Sequence, residues 1–359
     1  MSITGNKGEW SEIYTLFRLL GDMNLYSGDE NLEKIESMAY PIIKVLRAEL
    51  NETLEYEIDQ DVVVVNSNQV ELHRISVQTF QENAQLLFQK IKESKGSFAI
   101  PEIEQFMKDI HCVALKAGSS TKTDITLVVH DERTNQKPML GFSIKSQVGS
   151  PSTLLNAGKT TNFKYKVHAE LCAEDVECIN SIDSRSKIKD RIQAIKELGG
   201  RFEFVGTEQS IFSNNLVLID SFLPEILSAM VFEFYSTNLS RVTELVNAVE
   251  KENALAFDTS NGHCFYSYKI KRFLTDVALG MMPSKVWSGE YDATGGYLVV
   301  KDDGDVLCYH IYNRNVFENY LIHNTKLETA SSSRHGFGVL YEDGGEMFIS
   351  LNLQIRFIK

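Results

Sequence analysis

Two short runs near the middle of the chain constrain its fold more than any other feature. Lys122 to Val129 (Lys-Thr-Asp-Ile-Thr-Leu-Val-Val) is dense in β-branched residues, and Leu140 to Gln147 (Leu-Gly-Phe-Ser-Ile-Lys-Ser-Gln) alternates apolar and polar side chains. Alternation with period two is the mark of a half-buried strand. The polar tip His130 to Pro138 between the runs predicts an antiparallel hairpin with a loop of about ten residues. A hairpin set among helical patterns requires a fold that combines sheet and helix.

The helical patterns begin at residues 8 to 20, where Trp10, Ile13, Leu16, Phe17 and Leu20 share one face. Leu32 to Leu50 reads as a long amphipathic helix, Asp61 to Val65 as a strand and Val77 to Ile91 as a helix, so residues 28 to 110 are expected to be mostly helical with one strand. Ile182 to Leu198 reads as a helix whose outward face carries Arg185, Lys187, Lys189 and Arg191. Leu216 to Glu252 is helical throughout, and Phe265 to Met282 continues the helical part to Pro283. Beyond Pro283 the texture changes to short β-runs separated by Gly/Asp turns. The expected class is α/β in the α+β sense, divided into residues 1–260 and a β-rich part, residues 261–359; 359 residues fit about two domains.

No stretch approaches the roughly 20 apolar residues that span a bilayer, and the first residues lack the apolar core of a signal peptide. A cytoplasmic protein with no membrane partner is expected. Five cysteines, an odd number at irregular spacing, argue against a disulfide framework. His168, Cys172 and Cys178 lack a fourth zinc ligand nearby, so ordinary helical burial is the preferred reading. The net charge of −13 argues against a nucleic-acid partner, but it is unevenly spread: Lys116 to Arg201 holds fourteen Lys and Arg against ten Asp and Glu, a local +4. Phosphate contacts need positive potential only where the backbone runs, because charge farther away than about 8 to 10 Å is screened.

The chemistry concentrates on the hairpin. Ser143, Lys145 and Gln147 share one face of the second strand, and Asp124 on the first can lie beside them. An acid on one strand and a lysine on its partner suit metal-dependent phosphodiester cleavage. Carboxylates hold Mg²⁺, a hard ion that takes one or two acidic ligands plus water and phosphate oxygens, and a lysine orients water or neutralises transition-state charge. The acid usually found two residues before such a lysine is here Ser143. Helical geometry places Glu9 on the apolar side of the N-terminal helix and Glu12 at its edge, so Glu9, then Glu12, can supply the missing metal ligand, against a plain first-turn role for such acids. Ser143 and Lys145 could instead form a Ser-Lys hydrolase dyad, but no glycine-rich oxyanion loop or nucleophile elbow adjoins them. A DNA-binding protein that has lost catalysis is the stronger alternative.

Gly5-Asn-Lys-Gly-Glu-Trp-Ser-Glu-Ile13, Lys122-Thr-Asp-Ile125, Gly141-Phe-Ser-Ile-Lys-Ser-Gln147, Gly149-Ser-Pro-Ser-Thr-Leu-Leu-Asn156, Thr161-Asn-Phe163 and Tyr291-Asp-Ala-Thr-Gly-Gly296 resemble the HpaII-type restriction endonucleases along the whole chain. The resemblance implies a PD-(D/E)XK nuclease core of mixed sheet flanked by helices, Mg²⁺-dependent cleavage of double-stranded DNA at a short palindrome such as CCGG, a cognate DNA methyltransferase that protects the same site, and a possible homodimer on DNA. It implies Asp124 as the strand acid and Lys145 as the catalytic lysine, and leaves Ser143 as a departure from the superfamily pattern. Candidate DNA contacts are Lys122, Ser150, Asn156, Lys159, Asn162, Lys164 and Lys166 around the catalytic strand, with Arg314, Arg334 and His335 as readers in the β-rich part. Arginine and lysine suit guanine, asparagine suits adenine, and all suit phosphate.

Overall fold

The computed structural model describes residues 2–49, 52–116 and 123–359; the candidate Lys122 lies outside them. The chain forms two compact units: Met1–Ser152 with Tyr291–Tyr320 and Lys359, and Thr153–Glu290 with Leu321–Ile358. This is not the division expected at residue 260. Strand pairing sets it, since segments from the C-terminal third pair with strands that precede residue 170 in both units.

In the first unit, helix α1 (Lys7–Asp22) starts where Asn6 accepts from the Glu9 N–H and the Glu9 carboxylate accepts from the Asn6 N–H, a reciprocal arrangement that satisfies two otherwise orphaned donors. The helix buries Trp10, Ile13, Leu16, Phe17 and Leu20 as its spacing predicts, and ends at Met23 with φ 56°. A nine-stranded mixed sheet lies against it. It contains β1 (Asn24–Gly28), β2 (Lys34–Ala48), β3 (Thr53–Asp59), β4 (Val62–Ser67), β5 (Val70–Ser76), β6 (Ile125–Val129) and β7 (Met139–Ser146). The strands Gly296–Val300 and Val306–Tyr309 complete it, in the order β1, Val306–Tyr309, Gly296–Val300, β7, β6, β2, β3, β4, β5. Helices α2 (Val77–Glu93) and α3 (Pro101–Asp109) follow β5. Phe17, Phe80 and Phe106 meet edge to face at ring separations of 5.0 to 6.1 Å.

The helix expected over Leu32 to Leu50 is instead the 15-residue strand β2. Pro41 sits in its middle, where it would break a helix at a cost of roughly 3 kcal/mol, and the neighbouring Ile42, Ile43 and Val45 favour a pleated surface. Residues 28 to 110 therefore contribute four strands, not one, before α2. Near the other end of the sheet His310 is 3% exposed, its Nδ1 accepts from the Tyr312 N–H at 3.0 Å, and burial lowers its pKa to about 4. A neutral folded-state histidine supports stability above its ordinary pKa near 6.5, and that support is lost as pH falls through 4, because only the unfolded chain takes up the proton between those values. We expect unfolding stability to fall by about 3 kcal/mol across that window from this group alone. Denaturant melts of the parent and of His310→Phe at pH 7 and pH 4 test this; an identical acid loss in both would remove His310 as its source.

The second unit carries a four-stranded antiparallel sheet in the order Arg201–Thr207, Asn162–His168, Glu346–Asn352, Leu340–Asp343, and a three-stranded sheet of Thr325–Leu327, Ile355–Phe357 and Thr153–Leu155. Six helices of nine residues or more belong to it. The run expected to be helical from Leu216 to Glu252 is broken at Asp220 and again at 237–241, so its residues fall in three helices, the middle one carrying Pro224 in its first turn. Among the described residues no single helix is long and apolar enough to cross a membrane.

Candidate active site

The predicted hairpin forms, and its register brings the two ends of the proposed constellation together. Strands β6 and β7 pair antiparallel with Ile125 opposite Phe142, and the Asp124 N–H donates to the Phe142 carbonyl at 2.8 Å. The Asp124 carboxylate is thereby placed over the next residues of β7. Its Oδ2 accepts from the Ser143 Oγ at 3.1 Å and from the Ile144 N–H at 2.7 Å. The Lys145 Nζ donates to the same Ser143 Oγ at 3.0 Å. Ser143, 4% exposed, thus joins the acid to the lysine.

Strand Gly296–Val300 runs parallel to β7 with Tyr297 opposite Ser143. The Tyr297 ring lies 4.9 Å from the Lys145 Nζ, close enough for its π face to stabilise the cation. Removal from water lowers the Lys145 pKa below the ordinary lysine value, while Asp124 and then Glu12 pull it back up. The preceding Thr294-Gly-Gly296 braces β7: the Thr294 Oγ1 accepts from the Gly141 N–H at 3.1 Å and the Gly295 N–H donates to the Gly141 carbonyl at 2.7 Å. A Cβ on Gly295 would stand 2.7 Å from the Phe142 ring, and Gly296 has φ +94° with the Tyr309 carbonyl 2.0 Å from where a Cβ would be. Both positions therefore exclude side chains.

Helix α1 reaches the hairpin through the buried Ser11, whose Oγ donates to the Ser146 Oγ at 2.8 Å. Glu9 and Glu12 line a cleft of about 970 Å³ with Lys116, Ile144, Ser146 and Ser150 among its walls. The two acids differ in employment. Glu9 is partly buried, its side chain 27% exposed, with one carboxylate oxygen accepting from the Asn6 N–H at 2.8 Å and the other facing the Lys116 Nζ at 3.0 Å. The Asn6 N–H, aided by Lys116, lowers the Glu9 pKa against a smaller opposing effect of burial. Glu12 instead contributes to the field at both Lys145 and Lys116. Among the described residues no three His, Cys, Asp or Glu side chains converge as metal ligands.

A model of the family described as HpaII restriction endonuclease matches residues 6–357. The type II restriction enzyme HpaII of Haemophilus parainfluenzae is 49% identical over 360 residues, with 99% of both chains covered. The chain belongs to the HpaII restriction endonuclease family. Membership makes it a site-specific deoxyribonuclease, an activity class that generally uses divalent metal ions. No solved structure matches at a significant level.

The DNA contacts expected of an HpaII-family enzyme are distributed unevenly by the fold. Asn162 is fully buried, its amide bound to the Glu208 carboxylate at 3.1 Å and the His335 carbonyl at 3.0 Å, so it is a structural residue and no reader of bases. Lys164 and Lys166 project from the outer face of their strand but are ion-paired with Asp343 at 2.9 Å and Glu346 at 2.5 Å. Arg314 opens a helix and pairs with Glu318 at 2.7 Å. Asn156, Lys159 and Arg334 are exposed, and His335 is half-buried. Gln147 is held just past β7 by its backbone N–H, which donates to the Val300 carbonyl at 2.9 Å.

The helix expected to present Arg185, Lys187, Lys189 and Arg191 outward begins only at Lys187, and Arg191 points inward. Its guanidinium donates to the carbonyls of Gly338, Asn180 and Ile182 at 2.5, 2.6 and 2.9 Å. Cys172 and Cys178 are exposed, not buried in a helix, and His168 pairs with Glu203 at 2.7 Å. The residues that sequence reasoning missed are Tyr297, Lys116 and Ser11. The glycine pair preceding Tyr297 was the available signal for the first, since adjacent glycines before a β-run mark close backbone approach.

Proposed function

We propose that this restriction endonuclease hydrolyses phosphodiester bonds with Mg²⁺ at CCGG, using a PD-(D/E)XK-type core in which Asp124 and Lys145 carry the chemistry. The observation that supports the reading is the Asp124–Ser143–Lys145 chain of hydrogen bonds at 3.1 and 3.0 Å. Both hydrogen bonds to Asp124 from β7 fall on Oδ2, which leaves Oδ1 for a cation. Oxygen donors alone, and few of them, suit Mg²⁺, which keeps most of its water and leans on substrate phosphate. Asp124 would hold the ion, with Glu12 preferred over Glu9 as second carboxylate because its charge, alongside that of Asp124, acts on Lys145. When bound, such an ion polarises the phosphate and acidifies water.

Lys145 then holds its ammonium where Ser143 and the Tyr297 ring fix it, ready to meet the non-bridging phosphate oxygens or to orient the attacking water. Ser143 stands where the superfamily pattern has an acid and takes the role of a positioning group between the two charges. A cytoplasmic enzyme acting as a homodimer on its palindrome, beside a methyltransferase of the same specificity, completes the reading.

The test is cleavage of an unmethylated plasmid with Mg²⁺ and with EDTA, followed by sequencing of the fragment ends. Common ends at CCGG, lost in EDTA, are expected; ends at another sequence, or cleavage that persists in EDTA, would overturn the target or the metal. In the same assay Glu12→Gln is expected to lower cleavage roughly 100-fold or more, with partial recovery at raised Mg²⁺. Glu9→Gln should instead leave the helix cap in place, because the amide oxygen can still accept from the Asn6 N–H, and cost less than tenfold in rate. The reverse ranking would transfer the metal role to Glu9.

A further inference from the structure

The fold joins two segments of the second unit that are more than 170 residues apart in sequence. Asn162 and Asn352 face each other across neighbouring strands, and both are at most 1% exposed. The Asn352 Nδ2 lies within hydrogen-bond reach of the Gly158 carbonyl at 2.8 Å, the Thr161 Oγ1 at 3.1 Å and the Asn162 Oδ1 at 2.7 Å. The Asn162 Nδ2 continues to the His335 carbonyl at 3.0 Å and to Glu208 at 3.1 Å. The Leu353 N–H adds a bond to the Thr161 carbonyl at 2.9 Å. The Asn156–Thr161 loop and the Ser331–Gly336 turn are thus fastened to one buried amide pair.

Both amide nitrogens are used, while the Asn352 Oδ1 is buried with no hydrogen-bond partner among the described residues; burial makes the bonds that do form costly to break, and so holds the backbone they join in one geometry. What the fixed loops present is cationic. Lys159 is exposed, and its Cε passes 3.7 Å from where a Cβ on Gly336 would be, which sets it beside the turn that carries Arg334. Neither Lys159 nor Arg334 has a carboxylate partner among the described residues, whereas Lys164, Lys166 and Lys187 of the same unit are each paired with an acid. Within the turn, Ser331 to Ser333 form one wall of a cleft of about 490 Å³ whose other wall holds Arg185. The carboxylate tied into the network, Glu208, is occupied by Asn162.

We infer that the Asn156–Thr161 loop and the Ser331–Gly336 turn form one edge that grips the DNA phosphodiester backbone, with Lys159 and Arg334 as its cations and Asn162 and Asn352 as its positioning residues. The inference rests on the DNA-cleaving activity of the family. Cations without acidic partners, carried on a backbone that is held in place, are the groups that gain most from a phosphate, since no ion pair must first be broken and counterions are released from the DNA. Hydroxyls of the adjoining serines supply the neutral donors common at backbone contacts.

The test uses the full-length protein and two duplexes, one that the parent enzyme cuts and one that it does not, with binding followed by fluorescence anisotropy in EDTA so that no catalytic group is involved. Lys159→Ala/Arg334→Ala is expected to weaken binding to both duplexes at least tenfold and to make the plot of log affinity against log salt shallower by about two, roughly one per lost phosphate contact. Parental affinity and slope would overturn the edge. A loss confined to the cut duplex would overturn the phosphate assignment in favour of base reading.

Asn352→Ala, or Asn352→Ser if the first does not fold, is expected to weaken binding in the same way and to add less than its own effect when combined with the surface pair. Additive losses would overturn the positioning role, because independent sites add. Cleavage by the parent is checked alongside: a parent that does not cut undermines the nuclease reading, whereas a cutting parent with unchanged variants undermines the edge alone.

Discussion

Asp124→Asn is expected to leave the protein folded and bound to DNA while slowing cleavage by roughly three orders of magnitude or more. The side chains have nearly the same shape, and an asparagine oxygen can still accept from the Ile144 N–H that now bonds to Oδ2 at 2.7 Å, so the β6–β7 register has no reason to change. What is removed is the negative charge. With it go the oxygen proposed to hold Mg²⁺ and the nearest counter-charge to Lys145, whose ammonium is held against the cost of its burial chiefly by Asp124. Since that charge is proposed to act, through the ion it holds, on the reacting phosphate, its loss should appear in the single-turnover rate and not in affinity.

Lys145→Ala should behave alike, because it removes the cation and leaves the Asp124–Ser143 hydrogen bond at 3.1 Å in place. Cleavage at the parental single-turnover rate by either variant, at saturating enzyme and Mg²⁺, would sink the assignment. Loss of both folding and binding would instead make the residue structural.

The parts of this site that were legible in the sequence are those encoded by local period. The hairpin follows from β-branched residues and alternation around a polar tip, and it alone brings Asp124, Ser143 and Lys145 together. Helix α1 follows from apolar spacing. The sequence also allowed a plain first-turn role for Glu9, but the reciprocal bond with Asn6 depends on where the chain enters the helix, which apolar spacing does not reveal. The helix wrongly expected over β2 shows the opposite failure, in which amphipathic spacing was weighed above Pro41 and its β-branched neighbours.

Burial of polar side chains was not legible at all. The chemistry of Asn162 and Arg191 predicts surface groups, yet both satisfy carbonyls inside the second unit. Nor does any local pattern announce that Gly296–Val300 pairs in parallel with β7, because the partner of a parallel strand lies across a long connection. Tyr297 went unnoticed for that reason, and so did the interleaving of the two units.

A buried ion pair offers the second large effect. Arg47 on β2 is 1% exposed; its Nε meets the Glu49 carboxylate at 2.9 Å, and one terminal nitrogen donates to the carbonyls of Ala114 and Leu115 at 2.7 and 2.8 Å. The other Glu49 oxygen accepts from the Val113 N–H at 3.3 Å. The pair therefore fastens residues 113 to 115, immediately before Lys116, which pairs with Glu9 at the cleft. Arg47→Met should cost about 3 to 5 kcal/mol, because the Glu49 carboxylate would remain buried without its cation. For a unit of this size, that lowers the melting temperature by on the order of 10 °C.

Arg47→Met/Glu49→Leu should recover most of that stability, since apolar residues of similar volume commonly replace a buried pair without loss. It should not recover the two carbonyl bonds at 114 and 115, so cleavage by the double variant is expected to stay below the parental rate even where melting is restored. Calorimetry and single-turnover cleavage on the same preparations separate the two effects. If rate and melting temperature recover together, the pair serves stability alone and the segment leading to Lys116 needs no tether; if melting recovers without rate, Arg47 sets the geometry of the cleft from 69 residues away in sequence.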